Sequence, residues 1–274
     1  MPVIGIGTWR MGGVMTADRA YDKEEILAIK TAISLGMTHI DTAELYGDGH
    51  AEELVGEAIK GYDRETLFIT TKVKWTNLRY ADMIEAAERS LKRLGTNYVD
   101  LYLIHAPNTS VPIEETMRAM DYLAKNELTR FIGVSNFSAE QIQEAQQHAE
   151  NKIVADQIEY NLLVRGSAPD TRDTESETIP YCQKNDIAVI AYKPLARGEL
   201  AKPGIKPLDE LAKKYRKTQA QIAINWLISK PNIVTIPKAA MTEHVKENLG
   251  AIGWNLSEKD MKTLDHDLPT GQAN

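Results

Sequence analysis

An aspartate, a lysine and a histidine each close a short apolar run. Asp41 follows Thr38-His39-Ile40, Lys72 follows Leu67-Phe68-Ile69-Thr70-Thr71, and His105 follows Tyr98-Val99-Asp100-Leu101-Tyr102-Leu103-Ile104. Tyr46 lies five residues beyond Asp41 in a Gly-containing loop. The four types make a proton-transfer set. A free phenol has a pKa of about 10 and is a poor acid at neutrality. An adjacent ammonium stabilises the phenolate and lowers that pKa. Lys72 is therefore expected to bring Tyr46 toward the operating pH, with Asp41 keeping the lysine charged. His105 can hydrogen-bond a carbonyl oxygen and orient it. Protonating an alkoxide as it forms is what carbonyl reduction requires. The hydride must come from a cofactor, because no side chain donates one.

Residues so far apart meet only if the ends of their strands converge, as on one face of a parallel α/β barrel. The hydrophobic periodicity supports that architecture. It predicts strands at 3–7, 38–41, 67–72, 98–104, 130–134, 153–157, 187–192 and 232–235. Between them it predicts helices at 22–35, 50–60, 80–94, 113–125, 139–148, 176–185, 207–215, 218–229 and 242–249, with an added C-terminal helix at 257–265. Ser138, Thr218 and Ser257 read as N-caps. The stretch 165–175 reads as irregular, and 197–207 as a Pro/Gly-rich loop. Eight β/α units in about 250 residues make the (β/α)8 TIM barrel. A doubly wound open sheet is weakened because no Gly-x-Gly-x-x-Gly opens a helix after a strand.

The 274 residues, 43% hydrophobic and 26% charged, suit one α/β domain spanning 1–274 without a linker. No run of about 18 apolar residues is present, so no membrane helix is expected. Cys182 is the only cysteine and excludes an internal disulfide, which suits the cytoplasm. A net charge of -7 argues against a nucleic-acid surface. No His spacing suggests a metal site. Cys182, Met117 and Met120 read as packing residues, and 212–217 as a solvated helix end.

The later strands end in polar groups too: Ser135-Asn136, Gln157, Tyr192 and Lys238. At this point the chain resembles the aldo-keto reductases, from Gly5-Ile6-Gly7-Thr8-Trp9 to Glu247-Asn248. Three blocks carry the likeness: Asp41-Thr42-Ala43-Glu44-Leu45-Tyr46-Gly47, Leu94 through His105, and Ile132-Gly133-Val134-Ser135-Asn136-Phe137. The resemblance implies reduction of aldehydes or ketones by NADP(H), or NAD(H), with a tetrad of Asp41, Tyr46, Lys72 and His105. It implies that Ser135, Asn136 and Gln157 hold the nicotinamide carboxamide and that Tyr192 stacks on its ring. Gly7, Thr8, Trp9, Asp41, Leu195, Ile236, Lys238, His244, Glu247 and Asn248 would make the other cofactor contacts. Trp9, Tyr46, Trp75, His105 and Ala106 would line the substrate pocket of a monomer.

Three departures stand out. Many NADP-preferring relatives follow the lysine of Ile236-Pro237-Lys238 with serine and carry arginine six residues on; here Ala239 and His244 take those places. Ala106 stands where tryptophan is common, and the chain ends soon after the last helix, which together predict an open pocket. The N-terminus starts almost at the first strand, so the hairpin that usually plugs the barrel bottom is expected to be short. Two other functions compete. A Schiff-base lyase would use Lys72 as nucleophile, but needs a lysine without a carboxylate partner. A regulatory module, like the channel β-subunits that resemble this family, would bind cofactor without turnover.

Overall fold

The computed structural model describes residues 1–166 and 174–268. The short polar connections and alternating periodicities produce eight parallel strands in sequential order. These are β1 (Gly5–Gly7), β2 (His39–Asp41), β3 (Phe68–Val73), β4 (Val99–Ile104), β5 (Thr129–Ser135), β6 (Ile153–Glu159), β7 (Ala188–Tyr192) and β8 (Ile233–Thr235). β8 returns to β1 through bridges at Ile4–Thr235 and Gly7–Lys238. The sheet thus curls into the expected (β/α)8 barrel.

Among the described residues ten α-helices follow the strands: α1 (Asp22–Ser34), α2 (His50–Ile59), α3 (Tyr80–Leu94), α4 (Ile113–Lys125), α5 (Ala139–Gln147), α6 (Ile179–Lys184), α7 (Lys206–Tyr215), α8 (Gln219–Ile228), α9 (Thr242–Leu249) and α10 (Glu258–His266). Ser138 and Thr218 form capping boxes with Gln141 and Gln221, and Ser257 caps α10. The main departure is at 176–185. A π-turn over Thr174–Thr178 precedes a shorter α6, whose first turn holds Pro180. Proline lacks an N–H and is accepted only at a helix start. The expected irregular stretch 165–175 lies largely outside the described residues.

Side chains alternate across each strand, which divides the core in two. Ile40, Ile69, Tyr102, Ile104 and Val134 pack outward against the helices, where Met117, Met120 and Cys182 are also buried. Leu101, Leu103, Ala155, Ile190, Val234 and Ile236 fill the barrel interior. By the same alternation His39, Asp41, Thr70, Lys72 and Gln157 project inward. His39 lies low in the barrel, and a Cβ at Gly5 would come within 2.7 Å of its ring, so only glycine leaves it room. At this same N-terminal end of the strands, Arg64 and Arg130 both bind Asp100 and sandwich the Tyr98 ring at 4.1 and 4.4 Å.

Candidate active site

Asp41 is the last residue of β2, Lys72 the penultimate residue of β3, and His105 the first past β4. Their inward-facing places at the C-terminal ends of three neighbouring strands bring them together. Lys72 is fully buried, and its ammonium has three N–H bonds to give. Nζ donates to Asp41 Oδ1 at 2.6 Å, Thr42 O at 2.7 Å and Tyr46 Oη at 3.2 Å. Asp41 Oδ2 accepts from Gln157 Nε2 at 2.7 Å, so both carboxylate oxygens are satisfied. The Tyr46 loop turns sharply at Gly47, where φ is +58° and a Cβ would lie 2.2 Å from Gly12 O. Only glycine adopts that conformation so close to backbone. Gly47 N also donates to Val14 O at 2.9 Å, which fastens the Tyr46 loop to the loop after β1.

The electrostatics correct one expectation. The Tyr46 phenol sits above its usual value of 10, because burial and the Asp41 charge outweigh the pull of Lys72. The sequence shows the lysine but not the burial that opposes it. Burial likewise raises Asp41, against the opposing effects of Lys72 and Gln157. Lys72 is raised: burial opposes its charge, but Asp41 and Tyr46 prevail, so it stays an ammonium. Burial, helped by the Lys72 charge, lowers His105 to about 3. His105 is thus a neutral imidazole, and its Nδ1 is buried without a partner among the described residues.

A second polar set adjoins the first. Asn136 has a positive φ of 61°. Its Nδ2 donates to His105 O at 3.1 Å and Ser135 Oγ at 3.0 Å, and its Oδ1 accepts from Tyr192 Oη at 2.8 Å. Ser135 Oγ donates to Gln157 O at 2.8 Å. Ser135, Asn136, Gln157 and Tyr192 therefore form one hydrogen-bonded group joined to Asp41 and His105. Rings surround the proton-transfer set: Trp9 meets Tyr46 at 4.9 Å, Tyr46 meets His105 at 5.6 Å, and His105 meets Trp75 at 6.2 Å. Ala106 is partly exposed beside His105.

The remaining sequence-predicted residues lie further out. Gly7 closes the β1–β8 seam opposite Lys238, and Thr8 Oγ1 donates to Asp41 O at 3.0 Å. Lys238 is exposed; partial desolvation and the nearby Arg10 lower its pKa, against the pull of Glu25. His244, Glu247 and Asn248 lie on α9. Ile236 packs inside the barrel, and Leu195 packs against the outer core. Sequence reasoning missed Glu44 and Asn108, which brace the turn holding Trp75. The only signal for Glu44 was a carboxyl set between two site residues.

A model of the aldo/keto reductase family matches residues 3–267. The chain is 37% identical over 273 residues to methylglyoxal reductase YeaE of Escherichia coli (strain K12), covering 98% of this chain and 92% of that protein. It superposes with a TM-score of 0.91 on the thermostable aldo-keto reductase Tm1743, solved with the inhibitor epalrestat, at 47% identity over 97% and 94% of the two chains. A Klebsiella pneumoniae aldo/keto reductase solved with NADP and acetate gives a TM-score of 0.89 at 36% identity, over 100% and 93% of the two chains.

Proposed function

The chain belongs to the aldo/keto reductase family, and from that premise we propose that it reduces aldehydes or ketones to alcohols with NADP(H), Tyr46 acting as the proton donor. The observation that carries this is the donor count at Lys72. All three of its N–H bonds are spent, and the third goes to Tyr46 Oη. Oη is the acceptor in that bond, and the phenol hydrogen has no acceptor among the described residues. It is free for a substrate oxygen.

A nicotinamide cofactor supplies the hydride when bound. The residues present fit such a group: a serine, two amides and a tyrosine ring stand together beside the proton donor. NADP in the Klebsiella relative supports the same cofactor here. Tyr46 gives its proton to the carbonyl oxygen. Lys72 stabilises the phenolate left behind, and Asp41 compensates the lysine. Neutral His105 donates a hydrogen bond that orients the carbonyl. In the reverse direction Tyr46 is the base. The Schiff-base reading fares worse, because it needs a neutral amine and Lys72 is held charged. Small dicarbonyls are candidate substrates, supported by the YeaE relative. Action as a monomer in the cytoplasm belongs to the same proposal.

The test follows oxidation of NADPH, and separately NADH, with para-nitrobenzaldehyde and with methylglyoxal. Turnover that collapses in Tyr46→Phe with cofactor binding retained supports the assignment. Cofactor binding without turnover of any carbonyl favours the regulatory module. Failure to bind any nicotinamide cofactor overturns the proposal.

A further inference from the structure

Between Asp41 and Tyr46 the loop holds one more acidic side chain, which the proton-transfer reading leaves unused. Glu44 lies between the two and is 8% exposed. Its Oε1 accepts from Lys74 N at 2.6 Å and from Asn77 Nδ2 at 3.0 Å. Lys74 and Asn77 bracket the single 3-10 turn Trp75–Asn77 that follows β3. One carboxylate oxygen thus takes the amide that enters the turn and the side chain that ends it. Bonds to a carboxylate are stronger than neutral ones. From the other side, Asn108 Nδ2 donates to Trp75 O at 2.8 Å, while Asn108 Oδ1 accepts from Ser110 N at 3.0 Å. The loops after β2 and after β4 grip the same turn.

The gripped residue borders the reacting position. Trp75 meets the His105 ring edge-on at 6.2 Å and 73° and is 38% exposed. With Trp9 against Tyr46, it completes a row of four rings: Trp9, Tyr46, His105 and Trp75. A half-exposed indole on a three-residue turn would otherwise be ordered only when substrate arrives. Ordering it beforehand removes that cost from binding.

We infer that Glu44 and Asn108 are positioning residues that fix Trp75 as a wall for planar carbonyl substrates, aryl aldehydes being the class that fits. A flat ring whose carbonyl reaches Tyr46 and His105 gains aromatic contact with the indole. A three-carbon dicarbonyl has no ring to lay there. This inference rests on the carbonyl-reduction reading of the same site.

The test measures kcat and KM for para-nitrobenzaldehyde and methylglyoxal in wild type, Glu44→Ala, Glu44→Gln, Asn108→Ala, Trp75→Leu and Glu44→Ala/Trp75→Leu. Glu44→Ala raises KM for the aryl aldehyde about tenfold, the value of one charge-assisted hydrogen bond, and Asn108→Ala about fivefold, the value of a neutral one. The rise for methylglyoxal is clearly smaller. Glu44→Gln, which keeps an acceptor oxygen, recovers most of the loss. Glu44→Ala adds nothing once Trp75 is leucine. Equal losses on both substrates, or an undiminished loss in the Trp75→Leu background, overturn the inference. In parallel, the Trp75 indole N–H resonance, assigned from Trp75→Leu, is followed as para-nitrobenzaldehyde is titrated in. It shifts in the wild type and far less in Glu44→Ala or, if that variant does not fold, in Asn108→Ala. Should the wild type reduce no carbonyl, the function reading fails, and this titration alone decides the wall. An unmoved resonance in the wild type overturns it.

Discussion

Gln157 Nε2 donates to Asp41 Oδ2 at 2.7 Å across 116 residues of chain, while Lys72 Nζ holds the other oxygen of the same carboxylate at 2.6 Å. The amide proposed to face the cofactor and the ammonium proposed to tune the phenol therefore share one buried anion. Neither can move without exposing a charge to the barrel interior. This joins the cofactor side of the site to its proton-transfer side.

Removing either partner should be costly in a graded way. Asp41→Asn leaves the Lys72 ammonium buried without its counter-charge, a loss on the order of 3–5 kcal/mol in urea unfolding. Gln157→Leu leaves one carboxylate oxygen unpaired and costs about 1–3 kcal/mol. It also weakens NADPH binding, read by quenching of tryptophan fluorescence. Equal costs for the two variants would contradict a shared anion anchored chiefly by the lysine.

The raised Tyr46 pKa sets the pH profile. As a proton donor in reduction, Tyr46 acts when protonated, so rate is lost only as pH rises through its pKa. That value lies above 10. The kcat/KM for reduction should be level through neutrality and fall beyond about pH 10. Lys72→Met removes the influences that lower the phenol, pushes it higher still, and should cost on the order of 10²–10³ in kcat. An alkaline limb near pH 8 in the wild type would refute the assignment.

Much of this site was legible in the sequence because period-two alternation fixes direction. Asp41, Lys72 and Gln157 stand in phase with inward neighbours, while Ile40 and Ile69 pack outward. Strand order followed from the alternation of strand and helix periods. The direction of the Tyr46 shift was not legible, since it depends on how completely Trp9, Ala43 and Leu45 bury the phenol. Glu44 was missed for a related reason: its partners stand 30 and 33 residues away, on a loop with no periodic signal. The shorter α6 could have been read from Pro180, because a proline inside the predicted 176–185 helix marks a start rather than an interior.

Acid stability should be governed in part by His39. Burial, with smaller contributions from the chain N-terminus and Lys72, holds it near 3 against an ordinary 6.5. Between those values the unfolded chain takes up a proton that the folded chain refuses. Stability therefore declines as pH falls below 6.5, and the loss is complete near 3. His105 adds to the decline over the same window. Asp41, whose pKa is raised, acts with the opposite sign. His39→Gln isolates one histidine and can keep the bond that Nε2 makes with Thr70 Oγ1 at 3.1 Å. Between pH 7 and pH 4.5 the variant should lose ~2–3 kcal/mol less than the wild type in urea unfolding. Parallel losses would show that His39 is not held neutral.

Cofactor preference should turn on three residues at the end of the β8–α9 segment. Lys238 is exposed and has Arg10 nearby, which suits a phosphate dianion; Ala239 offers no hydroxyl, and His244 is exposed near the start of α9. A planar guanidinium grips phosphate in two places at once, whereas an imidazole ring has no such fork. Ala239→Ser with His244→Arg should therefore raise the ratio of kcat/KM for NADPH over NADH about tenfold or more. Lys238→Ala should lower that ratio, because its charge matters chiefly to the cofactor with the extra phosphate. The slope of log KM against log salt should be steeper for NADPH than for NADH in the wild type and converge in Lys238→Ala. If Lys238→Ala weakens both cofactors by the same factor, the lysine serves a phosphate that both carry, and preference is set elsewhere.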